Sequence, residues 1–300
     1  MKRGFGLGVL LLLWMPSLVA ADDLIEFKPV ADGIYAAIAK PPVRGQCNSA
    51  IVLLDDGVLV VDTQSSPAQA SAVIAQIRAL TDKPVRYVVN THFHRDHWQG
   101  NPAYREAWSH GLEIVSLEAT REHLEMQSKT APEALPTLTF ARRLILRGRA
   151  RRVELLWLGR GHTDADLVVY LPQDKVLMTG DLLHSWTPYM NDSYPWEWIG
   201  TLDRLLKLDF DTVIPGHGDV LHGQAQFNVW KQYLRDLMGE TTEAYKQGTT
   251  LEGAKKAVAA KLQAKYAGNF PDTFPKDVLR NIEKAYQVAS GKTPEKFSPM

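Results

Sequence analysis

The sequence predicts an α/β layered sandwich with a helical C-terminal extension. Three observations lead there. Apolar, β-branched runs alternate with helix-type stripes in two successive batches, and sheets built from such runs need helical cover. From about Gln224 to Ala289 the pattern turns wholly helical, with no Gly/Ser-rich linker before it. The chain has 300 residues, 45% of them apolar and 23% charged, which suits one large or two small globular domains.

Taken in order, "LIEFKPV" and "IYAAIA" read as strands. "SAIVLLDDGVLVVD" reads as two strands joined by a tight turn at Asp55-Asp56-Gly57. "SSPAQASAVIAQIRAL" is a helix: Ser65 or Ser66 caps it, Pro67 suits its first turn, and Val73, Ile74, Ile77 and Leu80 form its stripe. "PVRYVVN" is a strand, and "EIVS" with "EATREHLEMQSK" gives strand then helix. Residues 130–150 are less regular, and the basic "ARRLILRGRARR" reads as solvated loop and strand edge. The second batch opens with "VELLWLG" and "DLVVYL", strands flanking "GRGHTDA". "KVLMTG" is a strand ending at Asp181, "TLDRLLKL" a helix with Thr201 as its cap, and "TVIP" a short strand before "GHGD". Trp230, Leu234, Leu237, Val258 and Leu262 mark stripes of the C-terminal helices.

The N-terminus "MKRGFGLGVLLLLWMPSLVAADD" has a basic start, an apolar run to Met15 and the small-residue segment "SLVAA". That is the layout of a secretory signal peptide over residues 1–21, cut after Ala20 or Ala21. A membrane anchor is the alternative, but the run is short against the roughly 20 residues a bilayer needs. The expected organisation is therefore a signal peptide, a main domain over 22–223, and a helical extension over 224–300 packed on it. The expected location is periplasmic or secreted, with no membrane association once the signal is cut. Basic and acidic residues balance at 34 each, which argues against a nucleic-acid partner. The single cysteine, Cys47, excludes an intramolecular disulfide and reads as a buried structural thiol.

The polar residues of interest stand at the ends of apolar runs. Asp62 closes "VLVVD". His92, His94, Asp96 and His97 follow "VRYVVNT" in "NTHFHRDHWQG", which holds a third of the 9 histidines. His162 follows "ELLWLGRG", Asp181 closes "VLMTGD", and His217 follows "TVIPG". Strand ends on one sheet edge are where ligand sites of α/β folds lie. Zinc takes neutral imidazole and carboxylate oxygen, usually four ligands. A tight "HFHRDH" loop can direct one pair of ligands to each of two metals; His162 and His217 can complete the sets, and Asp181 can bridge them.

In that order, "THFHRDH", "GHT", "TGD" and "PGHG" resemble the metallo-β-lactamase superfamily of dinuclear zinc hydrolases, over roughly Ile25 to His222. The resemblance implies an αββα four-layer sandwich with two zinc ions per chain at one edge. It implies His92, His94 and His162 on the first zinc, Asp96, His97 and His217 on the second, Asp181 bridging, and Asp62 orienting ligands from behind. A hydroxide bridging the metals, oriented by Asp96, would attack the carbonyl of a small-molecule ester, thioester, lactone or lactam. Asp96 and Asp181 are thus the expected catalytic residues. Asp181 stands where one large subclass of true β-lactamases carries cysteine, and looks like the bridging aspartate of glyoxalase II, lactonase and phosphodiesterase branches. A periplasmic lactamase acting on antibiotics, an iron-dependent sulfur dioxygenase-type member and a non-catalytic zinc-binding protein stay open as alternatives.

Around this set, Trp186, Tyr189, Tyr194, Trp196 and Trp198 either wall a pocket beside the metals or pack the C-terminal helices. "KPPVRGQ" is a candidate flap. Arg44, Arg95 and Arg160 are either contacts for a substrate carboxylate or surface charges. His110 and His123 are expected at the surface; His184 and His222 lie close enough to ligands to support them.

Overall fold

A computed structural model describes residues 24–40, 46–127, 130–271 and 273–292. The expected signal peptide, Arg44 and most of the candidate flap lie outside the described residues.

The first sheet follows chain order, β1 to β7. It comprises β1 (Ile25–Ala31), β2 (Ile34–Ala39), β3 (Ser49–Leu53), β4 (Val58–Val61), β5 (Val85–Val89), β6 (Glu113–Leu117) and β7 (Leu138–Phe140). Strands β1 to β4 pair antiparallel; β4 to β7 pair parallel. Helix α1 (Pro67–Leu80) crosses between β4 and β5, short α2 (Arg95–Trp98) and α3 (Asn101–Ala107) between β5 and β6, and α4 (Glu118–Met126) follows β6. Ser66 caps α1 by accepting from Gln69 N at 3.3 Å, and Pro67 fills its first turn.

The second sheet runs β13-β12-β11-β10-β9-β8. Its strands are β8 (Arg143–Arg147), β9 (Arg152–Trp157), β10 (Leu167–Leu171), β11 (Val176–Met178), β12 (Thr212–Ile214) and β13 (Leu221–His222). Helix α5 (Pro195–Leu205) joins β11 to β12, and α6 (Ala225–Lys246), α7 (Leu251–Tyr266) and α8 (Phe274–Ala289) end the described chain. None of the described helices is long and apolar enough to cross a membrane.

Side-chain alternation divides the core into three layers. Leu59 and Val61 of β4 face the space between the sheets, where they meet Leu167, Val169 and Leu171 of β10. Val58 and Val60 face the other way, onto Val73, Ile74 and Ile77 of α1 and Tyr104 of α3. On the far side, Val168 and Tyr170 of β10 meet Trp198 and Leu202 of α5 and the stripes of α6 to α8. Strands covered on both faces read as continuous apolar runs, which is why "LVVYL" shows no polar alternation. The layers are helix, sheet, sheet, helix.

Two expectations need correction. Thr201 does not cap a helix. The helix starts at Pro195, so Thr201 is interior, and its hydroxyl donates to Arg160 O at 2.7 Å. His123 is buried rather than exposed. It lies on the inner face of α4 with Thr120 and Leu124, its ring 4.2 Å from Phe93 and its Nε2 2.8 Å from Asp164.

Candidate metal centre

Strand direction gathers the site. In the first sheet β4 and β5 are parallel, so Asp62 and the segment from Thr91 to Trp98 leave at the same edge. In the second, β9 and β11 each run antiparallel to β10, while β11 and β12 are parallel. The chain therefore leaves β9, β11 and β12 on one side, carrying His162, Asp181 and His217. Two bonds tie the sheets at this edge: Leu167 N donates to Thr91 O at 2.8 Å, and Asn48 N to Gly216 O at 2.7 Å. Asn48 Nδ2 also donates to Pro215 O and Gly218 O, so the loop around His217 hangs from the first sheet.

The seven residues fall into two groups, His92, His94, His162 and Asp181, and Asp96, His97 and His217, each with its donor atoms within 4.8 Å of one another. Two glycines make room. A Cβ at Gly216 would come within 2.0 Å of Asp181 Oδ1, and one at Gly100 within 1.9 Å of Thr63 O. Behind the metal-loop segment, Asn90 and Asn101 exchange side-chain hydrogen bonds at 3.1 and 2.8 Å.

Partners on the outer nitrogens set the tautomers. His94 Nε2 donates to Asp192 Oδ2 at 2.9 Å, and His162 Nδ1 to Tyr189 O at 3.1 Å. Thr91 Oγ1 donates to Asp62 Oδ2 at 2.8 Å, so it accepts from His92 Nδ1 at 3.0 Å. Carboxylate and carbonyl oxygens only accept, so each outer nitrogen holds the N–H and each inner one a lone pair. The inner His94 Nδ1 and His162 Nε2 then face each other at 2.9 Å, and His92 Nε2 is buried without a hydrogen-bond partner among the described residues. Three converging lone pairs repel one another unless a cation lies among them. The donor set fits a metal ion.

The second group is built on charge. His97 Nδ1 donates to Asp62 Oδ2 at 2.7 Å, which leaves Nε2 3.5 Å from Asp96 and 3.4 Å from Asp181. His217 Nε2 lies 3.3 Å from Asp96 and 3.2 Å from Asp181. Asp181 also reaches His162 Nε2 at 3.5 Å and so touches both groups.

Protonation follows these surroundings. Burial, reinforced by His97 and His94, holds His92 well below the ordinary imidazole range, and burial takes His162 down to about 3 despite Asp181. Burial also pulls on His97 and His217, but the carboxylates prevail. Asp96, Asp181 and Asp62 hold His97 well above its usual value, and Asp181 and Asp96 push His217 up to about 10. Asp181 and Asp96 stay well below the carboxylate range, against burial, because of His97 and His217.

A model of the metallo-beta-lactamase superfamily matches residues 42–217, more than half of the chain. The chain belongs to the metallo-beta-lactamase superfamily. Among curated members it is 24% identical over 230 residues to a linear primary-alkylsulfatase of a Pseudomonas species, covering 61% of this chain and 43% of that protein. It is 26% identical over 183 residues to a type 2 metallo-beta-lactamase of Bacillus cereus, covering 58% of this chain and 67% of that one. The chain thus spans less than half the length of the first and about two thirds of the second. The solved metallo-beta-lactamase from Pontibacter korlensis superposes with a TM-score of 0.63 at 24% identity, covering 70% of this chain and 99% of that chain. The Pontibacter protein shares the fold seen here.

Sequence reasoning missed Asp192, the Tyr189 carbonyl, Thr91 and Asn48. It left the aromatic segment undecided, and the structure divides it. Trp198 is buried against Trp230 of α6 with ring centroids 5.5 Å apart, and also backs His162 at 5.7 Å. Trp186 lies 5.6 Å from His217, and Tyr189, 39% exposed, lies 6.1 Å from His94. Of the seven candidate ligands, His94 and Asp96 are half-buried and the other five are buried. Tyr194 lies under Arg160, which is paired with Glu197, while Trp196 is exposed. Arg95 lies on α2 beside Asp96. Of the remaining histidines, His184 is buried 5.8 Å from the His217 ring, and His110 and His222 are exposed. Cys47 is fully buried.

Proposed function

We propose that this protein is an exported, zinc-dependent hydrolase of carbonyl compounds: an ester, thioester, lactone or lactam. The observation that carries the reading is the convergence of three imidazole lone pairs on a buried carboxylate shared with a second donor group. His92, His94 and His162 would hold one zinc, Asp96, His97 and His217 the other, and Asp181 would contribute to both. Zinc bound there would lower the pKa of water from about 15.7 towards about 7 and would polarise a substrate oxygen. The chain supplies the rest. Asp96, the more exposed of the two ligand carboxylates, accepts a hydrogen bond from the attacking water and aims it at the substrate carbon. Asp62, Thr91 and the Tyr189 carbonyl keep the imidazole N–H groups pointing outward. Tyr189 and Trp186 flank the entrance and exclude water around the bound substrate. The basic, apolar, small-residue order of the first 21 residues supports export.

The deciding experiment starts with protein recovered from an exporting host. Mass spectrometry should show a chain beginning at Ala21 or Asp22 and about two zinc ions per chain. The loaded protein is then offered esters, thioesters, lactones, β-lactams and phosphodiesters. Sulfate esters join the panel because one curated relative is named an alkylsulfatase. Hydrolysis of a carbonyl compound should stop on chelation and return with zinc. Activity that survives complete metal removal overturns the reading, and stoichiometric iron without zinc favours an oxygenase instead.

A further inference from the structure

The segment between Thr187 and Ser193 supplies the outer hydrogen-bond partner for two of the three imidazoles. Asp192 Oδ2 accepts from His94 and Tyr189 O from His162. From its other side this segment is held by the C-terminal helices. Lys284 Nζ donates to Asn191 O at 2.6 Å, and Asn281 Nδ2 to Pro188 O at 2.9 Å. Just before α8, Thr273 Oγ1 accepts from Thr187 N at 3.1 Å. Lys284 and Asn281 are only 7% and 2% exposed, so these are interior contacts. Both lie beyond residue 217, where the match to the superfamily ends.

We propose that Asp192 is a positioning residue for His94, and that α8 sets it in place through Lys284 and Asn281. The inference rests on the metal-site reading above. His94 can act as a ligand through Nδ1 only while Nε2 keeps its proton. A carboxylate on Nε2–H fixes that tautomer and raises the basicity of Nδ1. In the three-imidazole group His92 has a hydroxyl partner and His162 a carbonyl, so Asp192 is the charged partner there. It does for His94 what Asp62 does for His97. Its carboxylate is 39% exposed, and an ordinary ion pair at that exposure is worth little. The value of this one lies in the tautomer it selects and in a backbone held from beneath by a buried ammonium.

Zinc titration against a competing chelator tests this on the full mature chain, with circular dichroism confirming the fold of each variant. Asp192→Asn should weaken one zinc-binding step by ~10–100-fold and leave the other near its wild-type value. In the cobalt-loaded protein, one paramagnetically shifted imidazole N–H resonance, that of His94, should move and exchange faster with solvent. A change that was merely structural would not single out one N–H. Lys284→Met should weaken the same step, by less. Wild-type affinity and an unchanged N–H spectrum in Asp192→Asn overturn the role of Asp192. Wild-type affinity in Lys284→Met overturns the role of α8. A wild-type chain that takes up no metal overturns the site reading itself, and this inference with it.

Discussion

The group of His92, His94 and His162 and the group of Asp96, His97 and His217 share one carboxylate, yet their surroundings hold them in opposite charge states. In the first, burial keeps His92 and His162 neutral and offers a cation three nitrogen lone pairs. In the second, carboxylates keep His97 and His217 protonated until something displaces the protons. The first group is thus preorganised for a metal, whereas the second exchanges protons for one. The difference teaches that similar residue types need not make equivalent sites. The hydrogen bond on the outer nitrogen and the number of facing carboxylates decide what each offers.

Asp181 is the place to break the comparison. One or other of its oxygens lies within 3.5 Å of His162, 3.4 Å of His97 and 3.2 Å of His217. Asp181→Ala should therefore have the largest effect: both zinc-binding steps weakened by more than the ~100-fold upper range of an outer-shell change, and hydrolysis lost. Metal content after dialysis is the measurement. If one zinc stays bound at wild-type affinity, Asp181 belongs to a single group and the sharing is wrong.

Asp62 sharpens the comparison. It is 2% exposed and accepts from Thr91 N, Thr91 Oγ1 and His97 Nδ1. Its φ of 56° is left-handed, a conformation that asparagine tolerates. In Asp62→Asn an amide N–H₂ replaces one acceptor and leaves a buried donor facing a donor, at a cost of about 1–3 kcal/mol in thermal unfolding of the metal-free protein. Zinc should bind ~10–100-fold more weakly at the mixed group, where Asp62 acts directly on His97. The loss should be smaller at the three-imidazole group, which it reaches only through Thr91. Equal losses would mean that Thr91 transmits as much as the direct bond.

Much of this was legible in the sequence, for a specific reason. Each candidate ligand follows a strand, and the strands that matter run the same way, so their ends meet wherever the sheets pack. The supporting partners were harder to see. Asp192 is 98 positions from His94, and it sits in irregular chain whose course depends on contacts with α8. The Tyr189 acceptor is a backbone carbonyl, which no side-chain pattern records. Two misreadings had usable signals. Thr120, His123 and Leu124 share one helical face, which marks His123 as buried. Pro195, at the first position of α5, marks a start upstream of Thr201.

An effect confined to the pH dependence of stability tests how far the neutral character of the three-imidazole side extends. Asp166, on the turn after His162, is fully enclosed and accepts from Thr163 N at 3.0 Å and Thr163 Oγ1 at 2.6 Å. Burial pushes its carboxyl up to about 8, against the pull of those two donors. A carboxyl whose pKa is raised by folding keeps its proton in the folded state longer than in the unfolded chain. Its contribution to stability is therefore complete below the unfolded value of about 3.9 and is lost as pH rises towards 8. Asp166→Asn cannot lose a proton, so the variant should show a shallower fall in stability between pH 4 and 8, with little change at the acid end. Denaturant midpoints measured across that range would show it. Parallel curves for wild type and variant would mean that Asp166 is a carboxylate throughout, stabilised by Thr163 alone, and that the neutral region stops at His162.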